Sequence, residues 1–129
     1  MRDALAMSLD HAPSSPLVAR TRALGFVSPW ASERFSAELS LLVSELVTNA
    51  VLHGLPNIRL EMCALAAFRV RVEVFDGSDA LPEMRNPSVE NLSGRGLRII
   101  DAIALEWGAR PLLNGKVVWC DLMDHATDT

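Results

Sequence analysis

Two hydrophobic periods divide the chain. From about Pro16 to Leu52 apolar residues recur at helical spacing, and from Asn57 to Phe75 they alternate with polar ones. A short strand, "ALAMSLD" (4–10), opens the chain, and the turn residues "HAPSSP" (11–16) cap a helix that runs to between Gly25 and Val27. Ser28-Pro29 breaks it. A longer helix is predicted from Ser32, its N-cap, to Leu52, with Glu33 and Glu38 toward the favourable end of the dipole and Gly54-Leu55-Pro56 as the stop.

After Pro56 the period is two. Ile58, Leu60 and Met62 point inward against Arg59 and Glu61, and Val70, Val72 and Val74 against Arg69, Arg71 and Glu73. Both runs read as half-buried strands of a sheet with one wet face. "ALAAF" between them lacks Gly and Pro and defines its turn poorly. Residues 77–95 are aperiodic and rich in Pro, Gly and Asn, a length that usually marks a functional or disordered loop. "GLRIIDAIAL" (96–105) resumes helical spacing, "EWGARPL" is a strand, "LNG" a turn and "KVVWCDLM" (116–123) the last strand. The tail, 124–129, is expected to fray. This order predicts one domain over 1–129, an α+β two-layer sandwich with a mixed, mostly antiparallel sheet backed by helices.

The stretch "SELVTNAVLHG" (44–54) departs from a simple core helix. Glu45, Asn49 and His53 fall four apart and share one face. Leu39, Leu42, Val43, Leu46, Val47, Ala50 and Val51 form the arc turned to the sheet. Leu41 and Leu52 flank the polar stripe, where a surface helix would carry charges, so the stripe is expected to line a sheltered cleft. His53 has a second reading, since a cation at a helix C-terminus is favoured by the dipole.

Composition narrows the classes. A formal charge of −4 argues against binding to nucleic-acid backbone, which needs clustered positive charge. Eleven of the twelve basic residues are Arg, and only Lys116 is Lys. Cys63 and Cys120 stand apart, without metal-ligand spacing, and read as reduced thiols of a cytoplasmic protein. No apolar run suggests a membrane span, and acidic residues near the start do not suit a signal peptide.

A carboxylate and an amide one helical turn apart suit a phosphate site with Mg²⁺. The Asn49 amide oxygen can ligate a hard cation, and Glu45 can accept a proton from an attacking hydroxyl. Asp76-Gly77-Ser78 follows a strand, where a buried carboxylate can accept a hydrogen bond from a base's exocyclic amine. "SGRGL" (93–97) places two glycines before a helix and offers free N–H groups to an anion.

These motifs, E-L-V-T-N-A-V-L-H-G, strand-D-G-S, a long loop and G-R-G-L, resemble the ATP-binding domains of histidine kinases, DNA gyrase and heat-shock chaperones. The resemblance to bacterial anti-sigma factor serine/threonine kinases covers nearly the whole chain. It implies a histidine kinase-like ATPase domain that holds ATP and Mg²⁺, with Glu45 as general base and Asn49 as metal ligand. Asp76 would meet the adenine amine, with Ser78 and His53 beside the site. Residues from about 79 to 95 would form a lid, and Gly94, Arg95, Gly96 and Leu97 would lie against phosphate. Ser78 stands where the wider superfamily has a glycine. Val117 stands where many relatives have a threonine, which removes a hydroxyl partner near the adenine.

The implied function is that of an anti-sigma regulatory factor. It would sequester a sigma factor and phosphorylate a serine on a small antagonist protein, as a homodimer in some relatives. The alternative is a catalytically inactive nucleotide-binding or protein-binding module of the same fold.

Overall fold

The structure, a computed structural model, describes residues 4–79 and 92–125, with side chains in the second segment from Arg98 onward. Among the described residues three helices lie against a five-stranded sheet: β1 (Ala4–Leu9), α1 (Ser15–Val27), α2 (Glu33–His53), β2 (Ile58–Ala66), β3 (Arg69–Asp76), α3 (Leu92–Ile103), β4 (Glu106–Leu112) and β5 (Gly115–Met123). The strand order is β1-β2-β3-β5-β4, and each pairing is antiparallel. The last strand thus inserts between β3 and β4.

Alternation decides which face of each strand meets the helices. Ile58, Leu60 and Met62 of β2 and Val70, Val72 and Val74 of β3 are buried, as their period of two requires. The register places Leu60 opposite Val74, Val74 opposite Val118, and Val72 opposite Cys120. α2 lies between α1 and α3 and over β2, β3 and β5. Its Phe35, Leu39, Leu42, Val43, Leu46, Val47 and Ala50 are buried, with Val51 half-buried at the margin. By length and composition α2 could cross a bilayer, contrary to the sequence expectation, yet its apolar arc is spent on the sheet. Cys120 is among the buried residues, and burial pushes its thiol well above the ordinary range.

The outer face of the sheet is less wet than alternation suggests. Phe75, Val117 and Trp119 share it, and Val117 is fully buried there. Guanidinium groups roof the aromatics. Arg59 lies 4.1 Å over Phe75 and Arg71 4.4 Å over Trp119. Arg71 also donates twice to the buried Asp121, at 2.6 and 3.0 Å, and this carboxylate raises the arginine's pKa.

The α2 N-terminus is anchored from the far end of the chain. The Ser32 hydroxyl accepts from the Phe35 N–H at 3.1 Å, as an N-cap should. The Asp124 carboxylate accepts in turn from the Ser32 N–H at 2.7 Å and the Ser32 hydroxyl at 2.9 Å. Asp124 is buried, so the tail does not fray from 124 as expected, and 126–129 lie outside the described residues. Phe68 forms the β2–β3 turn with Ala67 and has φ +63°, uncommon for a bulky side chain. Its ring packs edge-on against Trp30, which also meets Phe35. The Phe68 carbonyl accepts from the Asp124 N–H at 2.8 Å. This cluster replaces the turn chemistry the sequence lacked.

The expected lid, about 79–95, falls mostly on residues 80–91, outside the described set. Residues 92–95 are instead the first turn of α3, which starts four residues before the predicted helix.

Candidate functional site

Of the predicted residues, His53, Asp76 and Ser78 lie where the C-terminus of α2 meets the end of β3 and the start of β5. His53 is the last residue of α2, and the Gly54 N–H closes the helix on the Ala50 carbonyl at 3.0 Å. A side chain at Gly54 would meet the Ala50 carbonyl oxygen at 2.6 Å and the Asp76 carboxyl carbon at 2.6 Å. Only glycine lets the helix end settle on Asp76. Gly77 then donates its N–H to the Leu55 carbonyl at 2.7 Å, which ties the turn after β3 to the turn after α2.

Along the stripe, Glu45 is half-buried, Asn49 is half-buried and His53 is exposed. The shelter does not come from the leucines, because Leu41 and Leu52 are both exposed. It is local to Asn49. The Asn49 amide oxygen is buried and has no hydrogen-bond partner among the described residues. A buried acceptor without a donor costs about 1–3 kcal/mol, so this atom is poised for a partner that the described residues do not supply. A hard cation fits it. Among the described residues no cluster of three His, Cys, Asp or Glu could hold a metal. A cation here would therefore take most of its ligands from phosphate and water, as Mg²⁺ does, and one from Asn49.

Asp76 is buried, as predicted, but its carboxylate is already engaged. Oδ1 accepts from the Ser78 N–H at 2.7 Å, from Lys116 Nζ at 3.0 Å and from the Leu55 N–H at 3.4 Å. Oδ2 lies 2.8 Å from the same ammonium. Lys116 is the β5 residue paired with Asp76, whereas Val117 projects to the opposite face of the sheet. The residue opposite Asp76 is therefore a lysine, and Val117 faces away from it. Sequence reasoning missed Lys116. Its signal was parity, since Val118, Cys120 and Leu122 face the helices and residue 116 must share their side. Ser78 contributes its backbone N–H to Asp76 and is itself buried.

The glycine pair is placed differently from expectation. Gly94 falls in the first turn of α3, among residues whose N–H groups have no partner within the helix. Gly96 falls one turn in, where the N–H belongs to the helical ladder, so it is a poor phosphate donor. Arg95 and Leu97 are in the same helix, and their side chains lie outside the described set.

The structure as a whole is similar to solved proteins. Aligned with the crystal structure of the RsbU and RsbW domains of Rv1364c from Mycobacterium tuberculosis, it gives a TM-score of 0.72 at 21% identity over 93% of this chain and 32% of that one. The histidine kinase domain of a blue-light activated histidine kinase from Erythrobacter litoralis gives 0.54 at 26% identity, over 70% of this chain and 45% of that one. A second structure of that kinase gives 0.59 at 24% identity, covering 76% and 33%. The chain spans from about a third to less than half of the length of these proteins. No protein-family model matches it, and no curated protein sequence does. The fold is that of the histidine-kinase-like ATPase domains, α+β with a five-stranded antiparallel sheet.

Proposed function

We propose that this chain is a nucleotide-binding anti-sigma regulatory factor. It holds a purine nucleoside triphosphate, ATP by resemblance, with Mg²⁺, and transfers the terminal phosphoryl group to a serine of a small antagonist protein. In the same reading it sequesters a sigma factor in the cytoplasm and acts as a homodimer. The observation that carries the nucleotide half of this reading is the orphaned Asn49 amide oxygen on the same helical stripe as Glu45. The histidine-kinase-like fold supports it. The RsbW domain in one structural neighbour supports the sigma-factor half.

The division of labour follows from the side chains. Asn49 is neutral and can only ligate or hydrogen-bond, so it would hold the cation. Glu45, one turn earlier, is an acceptor at neutral pH and would take the proton from the attacking serine hydroxyl. Gly94 would offer its N–H to phosphate at the positive end of α3. Mg²⁺, when bound, supplies charge neutralisation between the phosphates, which is the main requirement of phosphoryl transfer.

A second reading has its own observation. Asp76 is paired with Lys116, which favours a protein-binding module without kinase activity. Incubation with labelled ATP, Mg²⁺ and a candidate antagonist separates the two. Label on the antagonist's serine is expected from the kinase. Binding of the antagonist without transfer would replace it with the module.

A further inference from the structure

The load on the Asp76 carboxylate is uneven. Oδ1 takes three donors: the Ser78 N–H at 2.7 Å, Lys116 Nζ at 3.0 Å and the Leu55 N–H at 3.4 Å. Oδ2 takes only the Lys116 ammonium, at 2.8 Å. Each carboxylate oxygen offers about two lone-pair positions, so Oδ2 keeps one. Lys116 is incompletely spent as well. Its ammonium has three N–H groups and meets no acceptor but Asp76 among the described residues, so at least one N–H is unused. The residue is buried, where an unused donor is costly.

Resting on the nucleotide reading above, we propose that Lys116 is a specificity-determining residue for the base, donating to N1 of adenine while Asp76 Oδ2 accepts from the 6-amino group beside it. The ion pair leaves an unspent acceptor and an unspent donor on atoms 2.8 Å apart. The Watson–Crick edge of adenine carries the converse, an amine donor next to a ring-nitrogen acceptor, so two adjoining hydrogen bonds satisfy both partners. Guanine in that register sets its 6-oxo acceptor against the carboxylate and its N1–H against the ammonium. The pair does not turn to suit it. The Gly54 backbone lies against the carboxylate, the Ser78 N–H holds Oδ1, and strand register sets Lys116 opposite Asp76. A site held this way is preorganised.

The test is isothermal titration of the full chain in excess Mg²⁺ with ATP and with 1-deaza-ATP, which keeps the amine and has C–H in place of N1. The unsubstituted protein is expected to bind ATP about ten- to a hundredfold more tightly. Lys116→Met is expected to bind the two alike, whatever its stability, since a purely structural loss weakens both equally. Should this variant not fold, the unsubstituted chain still reports on the group, because Lys116 is its sole lysine. With ¹⁵N-labelled lysine, the Nζ resonance is expected to move on adding ATP and much less on adding 1-deaza-ATP. ATP bound no better than 1-deaza-ATP by the unsubstituted protein overturns this proposal alone. A preference for ATP that persists in Lys116→Met, or equal movement of the resonance with both ligands, overturns the role of Lys116. Binding of neither nucleotide by the unsubstituted protein defeats the nucleotide reading itself, and this proposal with it.

Discussion

Lys116 and Asp76 form an ion pair at 2.8 Å that is almost wholly withdrawn from water, at the point where a buried carboxylate was expected to accept from a base's exocyclic amine. Removing one partner strands the other. Asp76→Asn keeps the shape but leaves an ammonium without its counter-charge, which costs about 3–5 kcal/mol of stability. The double variant Asp76→Asn/Lys116→Met is expected to recover most of that loss. Urea unfolding of the two single variants and the double variant gives the coupling directly. Single losses that simply add would show that the pair is not coupled.

Asn49 carries the opposite expectation. Its orphaned oxygen is a cost in the ligand-free protein, so Asn49→Leu is expected to leave the melting temperature unchanged or raise it. The same variant is expected to lose the Mg²⁺ dependence of nucleotide binding. A residue with only a structural role would show a fall in stability and no change in the response to Mg²⁺.

Glu45→Gln is expected to leave nucleotide affinity nearly intact. Phosphoryl transfer is expected to slow by about 10²–10⁴-fold, the usual loss when a general base is removed. Single-turnover transfer to the antagonist protein, beside a binding titration, measures both. Transfer at the unsubstituted rate would remove Glu45 from the chemistry.

Two glycines make a matched pair of probes. Gly25 lies exposed in α1, and a methyl group there meets nothing within 4 Å. Gly25→Ala is therefore expected to stabilise by about 0.5–1 kcal/mol. Gly54→Ala drives a methyl group into the Ala50 carbonyl and the Asp76 carboxylate, and is expected to destabilise by at least about 1–3 kcal/mol, as overpacking does. Thermal melts of both variants check the sign of each change.

The elements were legible because their periods are clean. Val70, Val72 and Val74 leave no doubt about which face of β3 is buried, and Ser32 and Gly54 bracket α2 as caps should. The order of strands was not legible, because insertion of β5 between β3 and β4 depends on contacts far apart in the chain. The same is true of Asp124, which resembles a polar tail residue until β5 delivers it to the α2 N-cap. Motif spacing singles out Asn49 and Asp76, and the structure buries the Asn49 oxygen and the Asp76 carboxylate. That spacing does not single out Lys116, whose pairing with Asp76 follows from strand register and puts Val117 on the opposite face.

The last strand touches both ends of the long helix. Asp124, just beyond β5, grips Ser32 at the start of α2, and Lys116 near the head of β5 grips the Asp76 on which Gly54 and Leu55 rest. From Ser32 to Gly54 the helix rises about 33 Å. From Lys116 to Asp124 the strand runs about 27 Å, and side-chain reach and crossing angle make up the difference. Helix and strand therefore act as one gauge, and neither can change length alone. An extra helical turn in α2 would have to be matched by about two more residues in β5. Insertions confined to either element would pull one anchor loose, so length variation in this fold belongs in the connections and not in these two spans.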